Sequence, residues 1–333
     1  MNDIERFQKH LIEKENTSEQ VETAIKVLSE FERFLSNRNK TFDSFSFDDF
    51  FDFSNILIEE NRNDELHYGT FIGFGHFTHN NNLVRWGREV FDGNEVMPNL
   101  SKRLEDEFGK EFRDDIFQDT DLPPFGTSPK EKPNYTKKLI NRFVDKVDDE
   151  TSVKFLAKGL RDPYTEWRKP DREKFLNSKN IDEFIQKKKE AFIKTLEKHR
   201  DEKTLFFTQE INDQVIDYVK NNPLGAEEGI RYGNKLKIAK IPHETIKFLN
   251  ATDDKMKAYY FCHCPWVKEA IKDGTADEIP DVFCNCSGGY YKDYWQIVLD
   301  EPIEVKVLQS VKMGDPICQF EFTIPENYVE GLD

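Results

Sequence analysis

The chain is poor in cysteine, has no long apolar run and carries no surplus of positive charge. Its apolar stretches fall far short of the roughly 20 residues that span a bilayer, and Met1-Asn2-Asp3-Ile4-Glu5 lacks the basic and apolar regions of a secretory signal. The expected compartment is therefore cytoplasmic, with no membrane partner. Lys and Arg number 48 against 64 Asp and Glu, a formal charge of −16. A field of that sign repels phosphate backbones and argues against nucleic acid as a partner. There is no Gly-x-x-x-x-Gly-Lys-Ser/Thr run and no properly placed Gly-x-Gly-x-x-Gly, so ATP- and dinucleotide-dependent chemistry lack support. No fixed-period repeat occurs, which excludes solenoids and propellers.

What is present is phenylalanine, 29 of 333 residues, a content that separates this charged chain from disordered polyelectrolytes. The length suggests about two compact units. Residues 1–117 read as a helical bundle. Thr17 and Gln20 form a capping box ahead of Val21, Ile25, Leu28 and Leu35, Ser46 and Asp49 form another, and Leu66 to Thr78 reads as a third helix weakened by Gly69, Gly73 and Gly75. Pro123-Pro124, Gly126, Pro129 and Pro133 mark a linker over 118–134. Beyond it, residues 135–333 read as more helices, including Ile181–His199 and one from about Thr208 to Lys220. After Gly233 the period turns to alternation in Leu236-x-Ile238, Ile303-x-Val305-x-Val307 and Cys318-x-Phe320-x-Phe322-x-Ile324. The expected fold class is α+β, an all-helical N-terminal bundle followed by a C-terminal antiparallel-sheet ligand-binding unit. The helical rods could also support a homodimer.

All five cysteines lie in the last quarter. Cys262-His263-Cys264-Pro265-Trp266 and Cys284-Asn285-Cys286-Ser287-Gly288-Gly289-Tyr290 carry two Cys-x-Cys doublets. If the segments meet, Cys262, Cys264, Cys284 and Cys286 supply four soft ligands for zinc, with His263 and Cys318 in reserve. In extended chain, residues two apart point the same way, so each doublet could face one ion. Pro265 suits the first position of a helix, which would make Cys264 its N-cap and favour thiolate there. Ser287-Gly288-Gly289 reads either as an anion-cradling turn or as a plain strand-to-helix turn. Cys318, on one strand face with Phe320 and Phe322, is better suited to the core than to ligation. His76 and His79 have no acidic or sulfur partner nearby in sequence. The Arg161-Asp162-Pro163 and Glu166-Trp167-Arg168 stretch reads as an inter-helix corner, with a ligand-carboxylate clamp through Arg161 or Arg168 as the alternative.

The motifs Cys262 to Trp266, Phe283 to Tyr290 and Gly314 to Phe320 resemble, in that order, those of a prokaryotic family described as L-2-amino-thiazoline-4-carboxylic acid hydrolase-like, whose C-terminal unit is similar to the 4-vinyl-reductase-type ligand-binding domain. The resemblance covers about residues 136–326 and implies an α/β small-molecule-binding fold with cysteines near its pocket. Residues 5–90 also resemble, in helix spacing, the N-terminal core-binding module of tyrosine recombinases, for which a packing or dimerisation unit is the plainer alternative. Three functions follow. The first is a small-ligand- or zinc-binding domain, with Ser287, Gly288, Gly289, Trp266 and Tyr290 as ligand contacts. The second is a thiol-dependent hydrolase of a small cyclic amide or amidine, with Cys264 as nucleophile, His263 as proton carrier and the Ser287-Gly288-Gly289 amides as oxyanion donors. The third is a structural or redox protein with buried free cysteines.

Overall fold

The computed structural model describes residues 2–163 and 165–329 and divides the chain into two compact units, Met1–Asn94 with Leu122–Lys132, and Glu95–Asp121 with Pro133–Asp333. Among the described residues no helix is long and apolar enough to cross a membrane.

The first unit holds α1 (Asp3–Glu13), α2 (Ser18–Ser36), α3 (Phe47–Glu59), α4 (Glu65–Thr78) and α5 (Asn81–Phe91). Reciprocal capping boxes start the first three, at Asn2/Glu5, Thr17/Gln20 and Ser46/Asp49, each satisfying amides that the helix itself leaves unbonded. Phe31 is fully buried, with Phe45, Phe50 and Phe71 edge-on around it at centroid distances of 5.4, 6.1 and 5.3 Å. Each such pair adds about 0.5–1.5 kcal/mol beyond its buried area. Asp49 is buried where it takes the Ser46 amide and the Lys40 and Arg38 side chains.

The proline-rich stretch is not slack. Leu122–Lys132 packs into the first unit, and Ser54 Oγ, 2.6 Å from Tyr68 Oη, donates to the Gly126 carbonyl at 2.9 Å. Gly126 has φ +97°, and a Cβ there would come within 2.7 Å of Tyr68 Cζ, so this crossing requires glycine.

The second unit holds α6 (Val96–Phe108), α7 (Lys110–Ile116), α8 (Lys132–Val144, its first residue in the other unit), α9 (Asp149–Leu156), α10 (Thr165–Leu176), α11 (Ile181–Glu202), α12 (Asp213–Asn221), α13 (Thr245–Asn250), α14 (Asp254–Phe261), α15 (Lys268–Asp273) and α16 (Asn285–Leu299). Strands β1 (Ile230–Tyr232), β2 (Lys235–Ala239), β3 (Val305–Gln309) and β4 (Gln319–Thr323) form one antiparallel sheet in the order β1-β2-β4-β3. The fold class is α+β, as expected.

Alternation puts Leu236, Ile238, Phe320 and Phe322 on one buried face, in register as Leu236↔Phe322 and Ile238↔Phe320. Tyr291, Trp295, Val298 and Leu299 give α16 an apolar stripe that belongs to the same core. The sheet and α16 together fix the start of that helix, where the second cysteine doublet lies, Cys284 just before it and Cys286 in its first turn. Two elements differ from the expectation. α12 starts at Asp213 rather than near Thr208, because Asn212 caps it by accepting the Val215 amide at 3.0 Å. β1, only three residues long, offers too little alternation to stand out in sequence.

Candidate functional site

α14 ends at Phe261, Cys262 is extended, and the chain leaves the helix through His263 and Cys264. The Cys264 carbonyl then accepts the Val267 and Lys268 amides at 3.1 and 2.9 Å, so Pro265-Trp266-Val267 forms a tight turn and α15 begins only at Lys268. Trp266 is 1% exposed, edge-on to Tyr135 and with its carbonyl bonded by the Thr136 hydroxyl at 2.9 Å. Expected as a ligand contact, it lies in the core of the second unit.

The second doublet is helical rather than extended. Cys284 closes a 3-10 turn (Asp281–Cys284) and Cys286 lies in the first turn of α16. Residues two apart on a helix point in different directions, and the surroundings of the two thiols differ accordingly. Cys284 Sγ lies 3.1 Å from Ser310 Oγ and interacts electrostatically with Cys318. Cys286 is approached by the Leu160 amide and by Arg161, Arg103 and Lys240.

The structure nevertheless brings the doublets into one neighbourhood. The Cys262 thiol interacts with Cys264, Cys318 and Cys284, and Cys264 interacts with Cys286. All five cysteines are free thiols. Among the described residues, no three His, Cys, Asp or Glu side chains are grouped to hold one metal ion. The expected donor set of Cys262, Cys264, Cys284 and Cys286 is not grouped in that way in this structure.

Burial raises four of these thiols. It carries Cys264 to about 12, with the neighbouring Cys286 adding to the effect and Arg161, the Trp266 amide and Lys240 opposing it. Cys284 is pushed up to about 12 by burial against the Ser310 bond, Cys286 is raised, and Cys262 lies well above an ordinary thiol. The helix N-cap expected at Cys264 is corrected, since Val267 occupies that position, and burial favours the neutral thiol. α15 starts too late to cap the sulfur, and desolvation outweighs the amide and cations beside it.

His263 Nε2 donates to the Ile241 carbonyl at 2.6 Å, and its ring meets that of His243 edge-on at 5.1 Å. His243 is buried. Lys268 Nζ lies 3.1 Å from its Nδ1 and donates to Glu244 at 2.8 Å, so Nδ1 accepts and the proton sits on Nε2, 3.3 Å from Thr208 Oγ1. Burial first, then Lys268, His263, Lys240 and Arg161, holds His243 well below its ordinary pKa, in the neutral state.

Ser287, Gly288 and Gly289 lie within α16, which corrects the expectation of a flexible anion-cradling turn. Gly289 instead admits the Gly159 backbone, and Gly159 itself has φ +76°. This close approach carries the 159–161 loop across the helix and delivers the Leu160 amide and Arg161 to Cys286. Asn99 fastens the loop by donating to Leu160 O and Asp162 Oδ1, both at 3.0 Å, and Arg103 donates to Gly159 O. Lys240 Nζ lies 3.4 Å from Ser287 Oγ and near the rings of Tyr291 and Phe320. Tyr290 stacks under the Arg168 guanidinium at 4.6 Å. Sequence reasoning did not find Lys240 or Arg103, because an isolated basic residue at a strand end or on a helix carries no local signal.

A family model of unknown function, DUF6144, matches residues 245–329, a segment that contains every cysteine. No curated protein and no solved structure matches the chain.

Proposed function

We propose that the second unit is a small-ligand-binding domain whose site is bordered by Cys264, Cys286, Ser287, Lys240 and Tyr290. The observation that carries this reading is their shared partial accessibility. These five side chains come from the 262–264 segment, the end of β2 and the first turns of α16, and each remains half-buried beside the buried Phe261, Cys262, Phe283 and Gly289. A recess with a few convergent polar groups in an apolar wall is the usual form of a small-molecule site. The thiols act there as neutral, polarisable wall groups.

The thiazoline-hydrolase resemblance suggests the alternative of nucleophilic chemistry at Cys264. That role needs a thiolate, whereas the Cys264 thiol is raised to about 12, and it needs a base, whereas His263 Nε2 is committed to a backbone carbonyl. Ligand binding therefore has the stronger support.

The test is native mass spectrometry and elemental analysis of the full chain, purified without a metal-affinity tag. The expected result is a non-covalent organic molecule released on denaturation. A stoichiometric zinc lost in Cys284→Ser would replace this reading with a rearranged thiolate metal site. Protein empty of both, with Cys264 alkylating far faster than the other thiols, would replace it with the hydrolase.

A further inference from the structure

Arg168 lies in the first turn of α10 and is 6% exposed, which is rare for arginine. Buried guanidinium groups ordinarily meet a carboxylate, because leaving a charge unpaired in a desolvated place is costly. Among the described residues Arg168 meets none at ion-pair distance. Its Nη1 reaches the Tyr290 carbonyl at 3.5 Å, at the limit of a hydrogen bond, its Nη2 is buried with no hydrogen-bond partner among them, and the Tyr290 hydroxyl is the other polar group beside the guanidinium. The rings of Tyr290 and Tyr294 lie 4.6 and 5.9 Å from its central carbon.

The nearby acids are otherwise engaged or more distant. Asp171 accepts from Tyr294 Oη at 2.8 Å and is paired with Lys174 and Lys188. Asp293 and Glu227 interact with this region electrostatically, short of an ion pair with Arg168. Around the first turns of α16 stand Arg103, Arg168, Lys240 and Arg161, the last paired with Glu95 at 3.9 Å. Cys286 and Tyr290 are one helical turn apart, so the guanidinium over Tyr290 lies on the helix face that carries Cys286.

We propose that Arg168 anchors the ligand of this domain by receiving an oxyanion, a carboxylate or a phosphoryl group, through Nη2, with the body of the ligand lying along Tyr290 toward the thiols. The inference rests on the ligand-binding reading above and adds the chemical class of the ligand. A guanidinium offers paired N–H groups in a plane that matches two oxygens of such an anion, and Tyr290 and Tyr294 hold that plane in place.

The test titrates the full chain with sodium benzoate and, separately, with inorganic phosphate at constant ionic strength, following thermal unfolding. A saturable rise in midpoint with benzoate supports a carboxylate ligand, and one with phosphate supports a phosphoryl ligand. In either case Arg168→Gln should raise the half-saturating concentration about tenfold or more. Lys169→Gln, the same charge change on an exposed neighbour paired with Glu166, should leave it unchanged. If Arg168→Gln does not fold, Arg168→Lys, which keeps the charge and loses the fork, should show the weakening instead. Absence of saturation with both anions, or an unaltered response in the Arg168 variant that folds, overturns the proposal. An anion response lost with Arg168 in a protein that carries no co-purified molecule would remove the thiol-bordered reading and keep the anion site. A co-purified molecule with no anion response would do the reverse.

Discussion

Gly289 and Gly159 meet backbone to backbone: a methyl group on Gly289 would overlap Gly159 N and Cα and come within 2.9 Å of the Lys158 carbonyl carbon. Backbone atoms cannot rotate aside as a flexible side chain can, so the contact fixes the 159–161 loop on α16. Gly289→Ala should therefore lower stability by roughly 1–3 kcal/mol despite the helix preference of alanine. Gly69, also helical, has nothing within 4 Å of the place a methyl group would take, and Gly69→Ala should raise stability by about 0.5–1 kcal/mol. Denaturant unfolding of the two variants checks the pair; equal effects would mean that the loop gives way.

The sequence made the first turns of helices legible where capping is local. Thr17 with Gln20 and Ser46 with Asp49 occupy the predicted cap positions, because their bonds span three residues. Alternation likewise marked the three longer strands. The cysteine motif was legible as a cluster but not as a geometry. Whether Cys284-x-Cys286 is extended or helical depends on the packing of Tyr291 and Trp295 against the sheet, and no feature within the doublet reports it. The glycine pair after it was misleading for the same reason, since the backbone that Gly289 admits lies 130 residues earlier in the chain. Arg168 was visible as a candidate clamp, but its burial and unbonded nitrogen are tertiary properties.

Thiol reactivity should follow burial rather than motif. With Cys264 and Cys284 raised to about 12, alkylation of these two by iodoacetamide at pH 8 should run on the order of a hundredfold or more below the unfolded rate, since only thiolate reacts, and Cys262 and Cys286, also raised, should be slowed in the same direction. Peptide mapping of timed samples reads each site separately. A burst at Cys264 with an apparent pKa below 8 would mean that the native thiol is activated.

Asp49 should make the first unit sensitive to acid. Burial works to raise its pKa, but Lys40, the Ser46 hydroxyl and amide, and Arg38 outweigh it and hold the carboxyl well below the usual range. A depressed carboxyl adds stability that is present above its unfolded pKa near about 4 and is lost as pH falls toward the native value. Asp49→Asn should cost about 1–2 kcal/mol at pH 7, and the difference from wild type should shrink below about pH 4. Lys40 and Arg38 are partly exposed, so high salt should reduce the difference at pH 7 as well. A gap that stays constant from pH 7 to 3 would show that the carboxylate charge contributes nothing.

The second unit should also weaken in acid, beginning at a higher pH than the first, through His243. The ring is neutral because it is buried beside Lys268, His263, Lys240 and Arg161, and its Nδ1 accepts from Lys268. Its native pKa lies well below that of the unfolded chain, near about 6.5, so between the two values the unfolded state binds more protons. Stability from this group is therefore complete above about pH 6.5 and falls as pH drops below it. Glu244 does not compensate, because Lys268 and Lys247 overcome the effect of its burial and hold it at about 2, charged throughout that range. His243→Gln keeps a group able to bond Thr208 and removes the proton uptake, so the loss between pH 6.5 and 5 should flatten in that variant while the one near pH 4 remains. The ring nitrogens of wild-type His243, followed by NMR, should report the Nε2–H tautomer without titration from pH 8 to 5. If they titrate near 6.5, Lys268 does not hold the ring neutral, and Lys268→Met should then leave its pKa unmoved instead of raising it.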